Sequence, residues 1–163
     1  MTAAIQILPA DLKNAKHSDD LLLLLSHYAT DIMGGGEDLP LEVKQRLISE
    51  LQKRTSSVVL LAYENDMPVA LSISFEGFST FYARPLLNIH DFVVVESHRG
   101  RGIAKRMLEK LEEIALERGC CKLTLEVLEG NKRAQKLYQS FGFSSYVLDK
   151  EMGQALFWDK KLI

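Results

Sequence analysis

Apolar residues recur along this chain with two different spacings, and the switches between them divide it into elements. Residues Ala3 to Leu8 alternate weakly and predict a first strand, ended by Pro9. Ser18-Asp19-Asp20 offers an N-cap and an acidic first turn for a helix running to about Thr30, which Gly34-Gly35-Gly36 breaks. Pro40 suits the first turn of a second helix carrying Leu41, Lys44, Leu47, Ile48 and Leu51. Ser57 to Tyr63 and Val69 to Phe75 are strand-like runs joined by Glu64-Asn65-Asp66, a turn cluster. Gly77 to Arg84 reads as a loop with Phe78, Phe81 and Tyr82, and a third run spans Leu86 to Val95. Links this short make the strands antiparallel neighbours.

The period then changes. Ile103, Met107, Leu108, Leu111, Ile114 and Ala115 share one helical face, and Gly119 stands at the C-terminal cap position. Lys122 to Leu128 alternates again. A helix separates it from Leu86–Val95, so these two strands are expected to be parallel in a right-handed crossover. Asn131 is placed to cap a short helix with Ala134, Leu137, Tyr138 and Phe141 on one face, ended by Gly142. Two further strands are predicted near Ser144–Leu148 and Ala155–Lys160. The sum is an α+β fold, an α/β/α sandwich with a mixed, mostly antiparallel sheet of six to seven strands and about four helices. At 163 residues it is expected to form a single domain.

Composition narrows the function classes. With 47% hydrophobic and 26% charged residues the chain is globular rather than disordered. A net charge of −2 lacks the basic bias of a nucleic-acid binder. The longest aliphatic run, Leu21 to Leu25, is too short to span a bilayer, and no signal peptide pattern opens the chain. Cys120 and Cys121 are adjacent, poorly placed for a disulfide or a zinc site, so no metal is expected. Reduced thiols fit a cytoplasmic location.

Candidate chemistry concentrates in LLNIHDFVVVESHRGRGIA, Leu86 to Ala104. A strand there enters a turn, Arg99-Gly100-Arg101-Gly102, that opens into a helix. Unpaired N–H groups and the positive end of the helix dipole suit a phosphate, and glycines let it approach the main chain. The Gly34–Gly36 triplet follows a helix and lacks a Gly-Lys-Ser/Thr ending, so it reads as a flexible connection, not a phosphate loop. Asp31, Glu37 and Asp38 make that connection acidic, which describes either a solvated loop or a wall suited to a cationic substrate. A dinucleotide fingerprint starting at Gly100-x-Gly102 fails at its third glycine, where Lys105 stands.

Three spaced features, VVVESHRGRGIA, LTLEVLEGN and NKRAQKLYQSFGF, together resemble the GNAT superfamily of acetyl-CoA-dependent N-acetyltransferases. Its signature, Arg/Gln-x-x-Gly-x-Gly/Ala, is matched by Arg99, Gly102 and Ala104. The family's downstream Asn, Tyr and Gly-Phe correspond to Asn131, Tyr138 and Gly142-Phe143. The resemblance implies a central, splayed parallel strand pair with acetyl-CoA between its strands. Phe92, Val93 and Val94 would pair with the pantetheine arm. The pyrophosphate would rest on Gly100, Arg101, Gly102, Ile103, Ala104 and Lys105, with Arg99, Asn131 and Tyr138 beside the cofactor.

Acetyl transfer to an amine needs a deprotonated amine, a stabilised oxyanion and a proton for the departing thiolate. The resemblance makes Tyr138 the proton donor. Polyamine-acetylating members carry a Glu where this chain has His90, followed by an acid matching Asp91, and protein N-terminal acetyltransferases carry a catalytic Glu in the context of Glu126. His90, Glu126, Asp91 or a water relay therefore remain open as the base. The expected acceptor is a small-molecule amine such as a polyamine or amino acid, taken by direct attack in a ternary complex. A protein N-terminus or lysine, or a non-catalytic acetyl-CoA-binding module, is the alternative. The C-terminal strands and Trp158 offer an edge for a homodimer of the kind common in the family, and the oligomeric state stays open.

Overall fold

The computed structural model describes residues 4–147 and 149–162. They divide into two compact units, Met1–Leu125 and Glu126–Ile163.

In the first unit, β1 (Ile5–Pro9), β2 (Ser57–Glu64), β3 (Met67–Ser79), β4 (Arg84–Val94) and β5 (Leu123–Leu125) form a five-stranded sheet in chain order. The first four are antiparallel and the last pair is parallel. Helices α1 (Ala15–Thr30) and α2 (Leu41–Gln52) cover one face. Leu21, Leu24, Leu25 and Leu51 pack there on Val59, Leu61, Tyr63, Leu71, Ile73 and Val93. The alternate positions of β2, Val58, Leu60 and Ala62, are also buried and point to the other face. Helix α3 (Ile103–Glu117) buries Ile103, Met107, Leu108, Leu111 and Ala115 there. A sheet hydrophobic on both sides needs a helical layer on each, which makes the α+β sandwich.

Several boundaries differ from the sequence reading. Helix α1 begins earlier, because Asn14 accepts the Lys16 N–H at 2.9 Å and caps it. Ser18 instead donates to the Leu12 carbonyl, and Asp20 accepts from Lys16 and the Tyr63 hydroxyl. The expected loop after Gly77 shortens to residues 80–83, because the β3–β4 ladder continues to Ser79–Arg84. The first strand lies at Ile5–Pro9, and the predicted Ala3 start lies outside the described residues.

The strand count is also corrected: among the described residues five stand where six to seven were expected. β5 covers only Leu123–Leu125, and the parallel pair lies at the sheet's edge rather than its centre. In the second unit, residues 144–147 and 155–160 are not strands, and Leu148 lies outside the described residues. One backbone bond, Ala155 N to Tyr146 O at 3.0 Å, joins these runs. Their side chains are exposed, Trp158 at 82%. Alternation alone does not make a strand without a ladder partner and a buried face. Among the described residues of this unit, α4 (Lys132–Ser140) is the helix.

Candidate active site

The site begins with a fault in the ladder. Asp91 pairs with Ile73 and Ile89 with Ser74, so His90 is an extra residue in β4. A bulge resets which face each side chain meets. Leu87 and Ile89 oppose Glu76 and Ser74, whereas Asp91 and Val93 oppose Ile73 and Leu71, whose side chains belong to the α1 face. The bulge therefore turns Asp91 toward α1. His90 itself is exposed, its ring edge-on to Phe75 at 5.5 Å.

Pairing with β5 stops at Ile89–Leu125. Beyond the bulge, β4 continues through Asp91, Phe92, Val93 and Val94 without β5 alongside. The paired stretch stops there because β5 itself ends at Leu125.

Asp91 is half-buried, and burial pushes its carboxyl above the ordinary range, an effect the nearby His90 opposes. Tyr28, near the end of α1, is held above the ordinary phenol value by burial first and then by Asp91 and Asp31. The phenol thus stands close to both acids and keeps its proton at neutral pH. Sequence reasoning missed Tyr28, which in the run Leu21 to Thr30 reads only as a helix residue.

After β4 the chain makes a 3-10 turn at Glu96–His98 and enters α3 through the glycines. Gly100 and Gly102 have φ of +79° and +77°, and a Cβ at either would meet nothing within 4 Å. Glycine is needed there for backbone conformation, and the space beside it is open. The N-cap residue of α3 is Gly102, which has no side chain to cap with, and among the described residues no side chain caps the helix start. An anion fits this cradle.

Both arginines of the turn are paired with acids from elsewhere in the fold. Arg99 Nε donates to Val94 O at 2.9 Å, and a terminal nitrogen lies 3.2 Å from Asp31. Arg101 makes a two-point pair with Glu64 at the end of β2. The same carboxylate accepts from His98 Nε2 at 2.9 Å, and Ser97 Oγ lies 2.8 Å from His98 Nδ1. Arg101 first, then His98, holds the Glu64 carboxyl down to about 2. Glu64 reads in the sequence as a turn residue, and 37 positions separate it from Arg101, so no local signal points to this pair.

The second unit carries the remaining candidates. Asn131 Oδ1 accepts from Ala134 N at 3.1 Å and caps α4, as its position predicted. The Tyr138 ring stands edge-on to Phe143 at 5.8 Å, and Phe143 stacks on Phe141. Glu126, the unit's first residue, is exposed. The described residues contain no metal-holding cluster of His, Cys, Asp and Glu, and no helix among them is long and apolar enough to cross a membrane.

The model of the acetyltransferase (GNAT) family matches residues 24–143. The chain belongs to this family. Among curated relatives, the thialysine N-epsilon-acetyltransferase of Bos taurus is 36% identical over 74 residues, 45% of this chain and 43% of that protein. The uncharacterized N-acetyltransferase YycN of Bacillus subtilis (strain 168) is 39% identical over 66 residues, 39% of this chain and 42% of that protein. The matched segment thus spans less than half the length of these relatives. The crystal structure of a probable acetyltransferase superposes with a TM-score of 0.78 at 23% identity, covering 96% of this chain and 99% of that one, and shows the same GNAT fold.

Proposed function

We propose that this protein is an acetyl-CoA-dependent N-acetyltransferase whose acceptor is a small primary amine. The observation that carries the reading is one strand with two uses. After its bulge, β4 turns the half-buried Asp91 toward α1 past the end of its pairing with β5, and the turn that follows leads through open glycines to the N-terminus of α3.

Acetyl-CoA, when bound, supplies an activated thioester and leaves as a thiol. The N–H groups of residues 100–105 would hold its pyrophosphate. Because Arg99 and Arg101 already face carboxylates, main-chain dipoles rather than free guanidinium charge do most of this work. Phe92, Val93 and Val94 would line the pantetheine arm.

Asp91 is the anchor for an ammonium group. A carboxylate whose ionised form is penalised by burial gains most from a cation that restores its solvation. The protonated Tyr28 adds a donor or acceptor beside it. His90, exposed on the same bulge, is the base that takes the amine proton. Glu126 is the second candidate, from its place in the family pattern. Tyr138 is the proton donor to the thiolate, on its match to the family motif. A primary amine on a flexible chain suits this acid-lined site, and the name of the bovine relative, a thialysine N-epsilon-acetyltransferase, supports it.

Two free, half-buried cysteines support a cytoplasmic location. A homodimer is the proposed assembly, to be read by sedimentation at several concentrations.

The test is thiol release from acetyl-CoA across polyamines, amino acids, lysine analogues and peptide N-termini. Release with small primary amines is expected. Tight coenzyme A binding without release from any amine would sink the catalytic reading, and release with peptides alone would move the acceptor class.

A further inference from the structure

The glycine triplet and Asp31 are built around one another. The Asp31 carbonyl accepts from Gly34 N at 2.8 Å and Gly36 N at 3.0 Å, and its Oδ1 accepts from Met33 N at 2.9 Å. A Cβ on Gly34 would sit 1.9 Å from the Tyr28 carbonyl oxygen. Gly34 is therefore required for a close approach, and the loop is folded rather than slack, which corrects its reading as a flexible connection.

The other carboxylate oxygen of Asp31 reaches out of the loop to Arg99. Arg99 in turn donates Nε to Val94 O, the carbonyl at the end of β4. A planar guanidinium held at two points has its orientation set. Each side chain of the ion pair is 28% accessible, so the pair adds little to global stability. What it fixes is direction. It joins the first residue of the cofactor turn to the loop beside Tyr28 and Asp91.

We infer that Asp31 is a positioning residue for acetyl transfer. It holds Arg99 across the end of β4, and through Arg99 it ties the 31–36 loop to the cofactor turn. Filling the turn steadies the loop, so cofactor binding prepares the acceptor side. This rests on reading residues 99–105 as the coenzyme A pyrophosphate cradle.

Hydrogen exchange on the full chain, with coenzyme A as the probe, tests it without knowing the acceptor. In the native protein, coenzyme A slows exchange in peptides covering 99–105 and also in those covering 31–36. In Asp31→Asn, the amide oxygen still accepts from Met33 while the NH₂ group repels Arg99, so only 99–105 is protected. Arg99→Gln cuts the same link from its other end, so a folding defect in one variant leaves the comparison intact. With a reactive amine, Asp31→Asn raises KM for acetyl-CoA about three- to tenfold and changes kcat less than about twofold. Adding Arg99→Gln to Asp31→Asn raises KM little further.

Failure of coenzyme A to bind or to protect 99–105 would overturn the cradle itself. Protection of 99–105 without 31–36 in the native protein would overturn only the link. So would undiminished protection of 31–36 in both variants, or additive effects on KM.

Discussion

The strand–turn–helix of residues 84–117 and the segment from Glu126 onward both carry apolar runs, but the fold uses them differently. In the first, β4 has β3 along one edge and α1 and α3 on its faces, and the turn after it is pinned by Asp31 and Glu64. In the second, α4 forms with its cap, while Leu156, Phe157 and Trp158 stay exposed. A helix closes its own hydrogen bonds, so a nine-residue element with a good cap can form locally. A strand has no such recourse and exists only where a neighbour completes its ladder.

Truncation separates the two regions most strongly. Leu108→Ala removes a fully buried side chain and is expected to cost about 2–5 kcal/mol in denaturant unfolding. Trp158→Ala is expected to stay within about 0.5 kcal/mol. A concentration-dependent loss in the tryptophan variant would reveal a covered C-terminal face and erase the contrast.

Catalysis tests it from the other side. Tyr138→Phe, in the second unit, should lower kcat by about 10²-fold with coenzyme A affinity unchanged in calorimetry. Undiminished turnover would confine the chemistry to the first unit.

Within the first unit, Asp91→Asn should exchange function for stability. The folded carboxyl titrates above its unfolded value, so its ionised form costs stability at neutral pH. That cost disappears as the pH falls through the folded value toward the unfolded one. The amide should raise Tm by about 2–4 °C while raising KM for the acceptor. A lower Tm would show that Asp91 supports the fold rather than the substrate.

The smallest effect lies at the turn's other clamp. Glu64 is depressed from 4.5 to about 2, so its contribution is complete above pH 4.5 and is lost as the pH falls toward 2. Glu64→Gln should be slightly less stable than the native protein at pH 7 and equal to it near pH 2. Parallel acid-unfolding curves would assign the pair no role.

Much of this was legible in the order of residues alone. The strand entering Arg99-Gly100-Arg101-Gly102, the amphipathic face of α3, the Asn131 cap and the parallel crossover all follow from local period and punctuation. These features depend on neighbours within a few residues, which is the range over which sequence pattern acts. The family motif adds spacing that local physics does not explain. Whether Ser144–Leu148 and Ala155–Lys160 become strands was not legible, because that depends on an edge to pair with.

The tertiary structure decided which side chains meet. The bulge at His90 comes from the pairing of β3 with β4, and it alone turns Asp91 toward Tyr28. Asp31 meets Arg99 across 68 residues, and Glu64 meets Arg101 across 37. Such pairs carry no periodicity, since any acid and any arginine will serve once the chain has brought them together. Sequence determined the glycine turn that opens α3, because a helix N-terminus and two left-handed glycines are properties of a short stretch of backbone. What anchors that turn is a property of the whole fold.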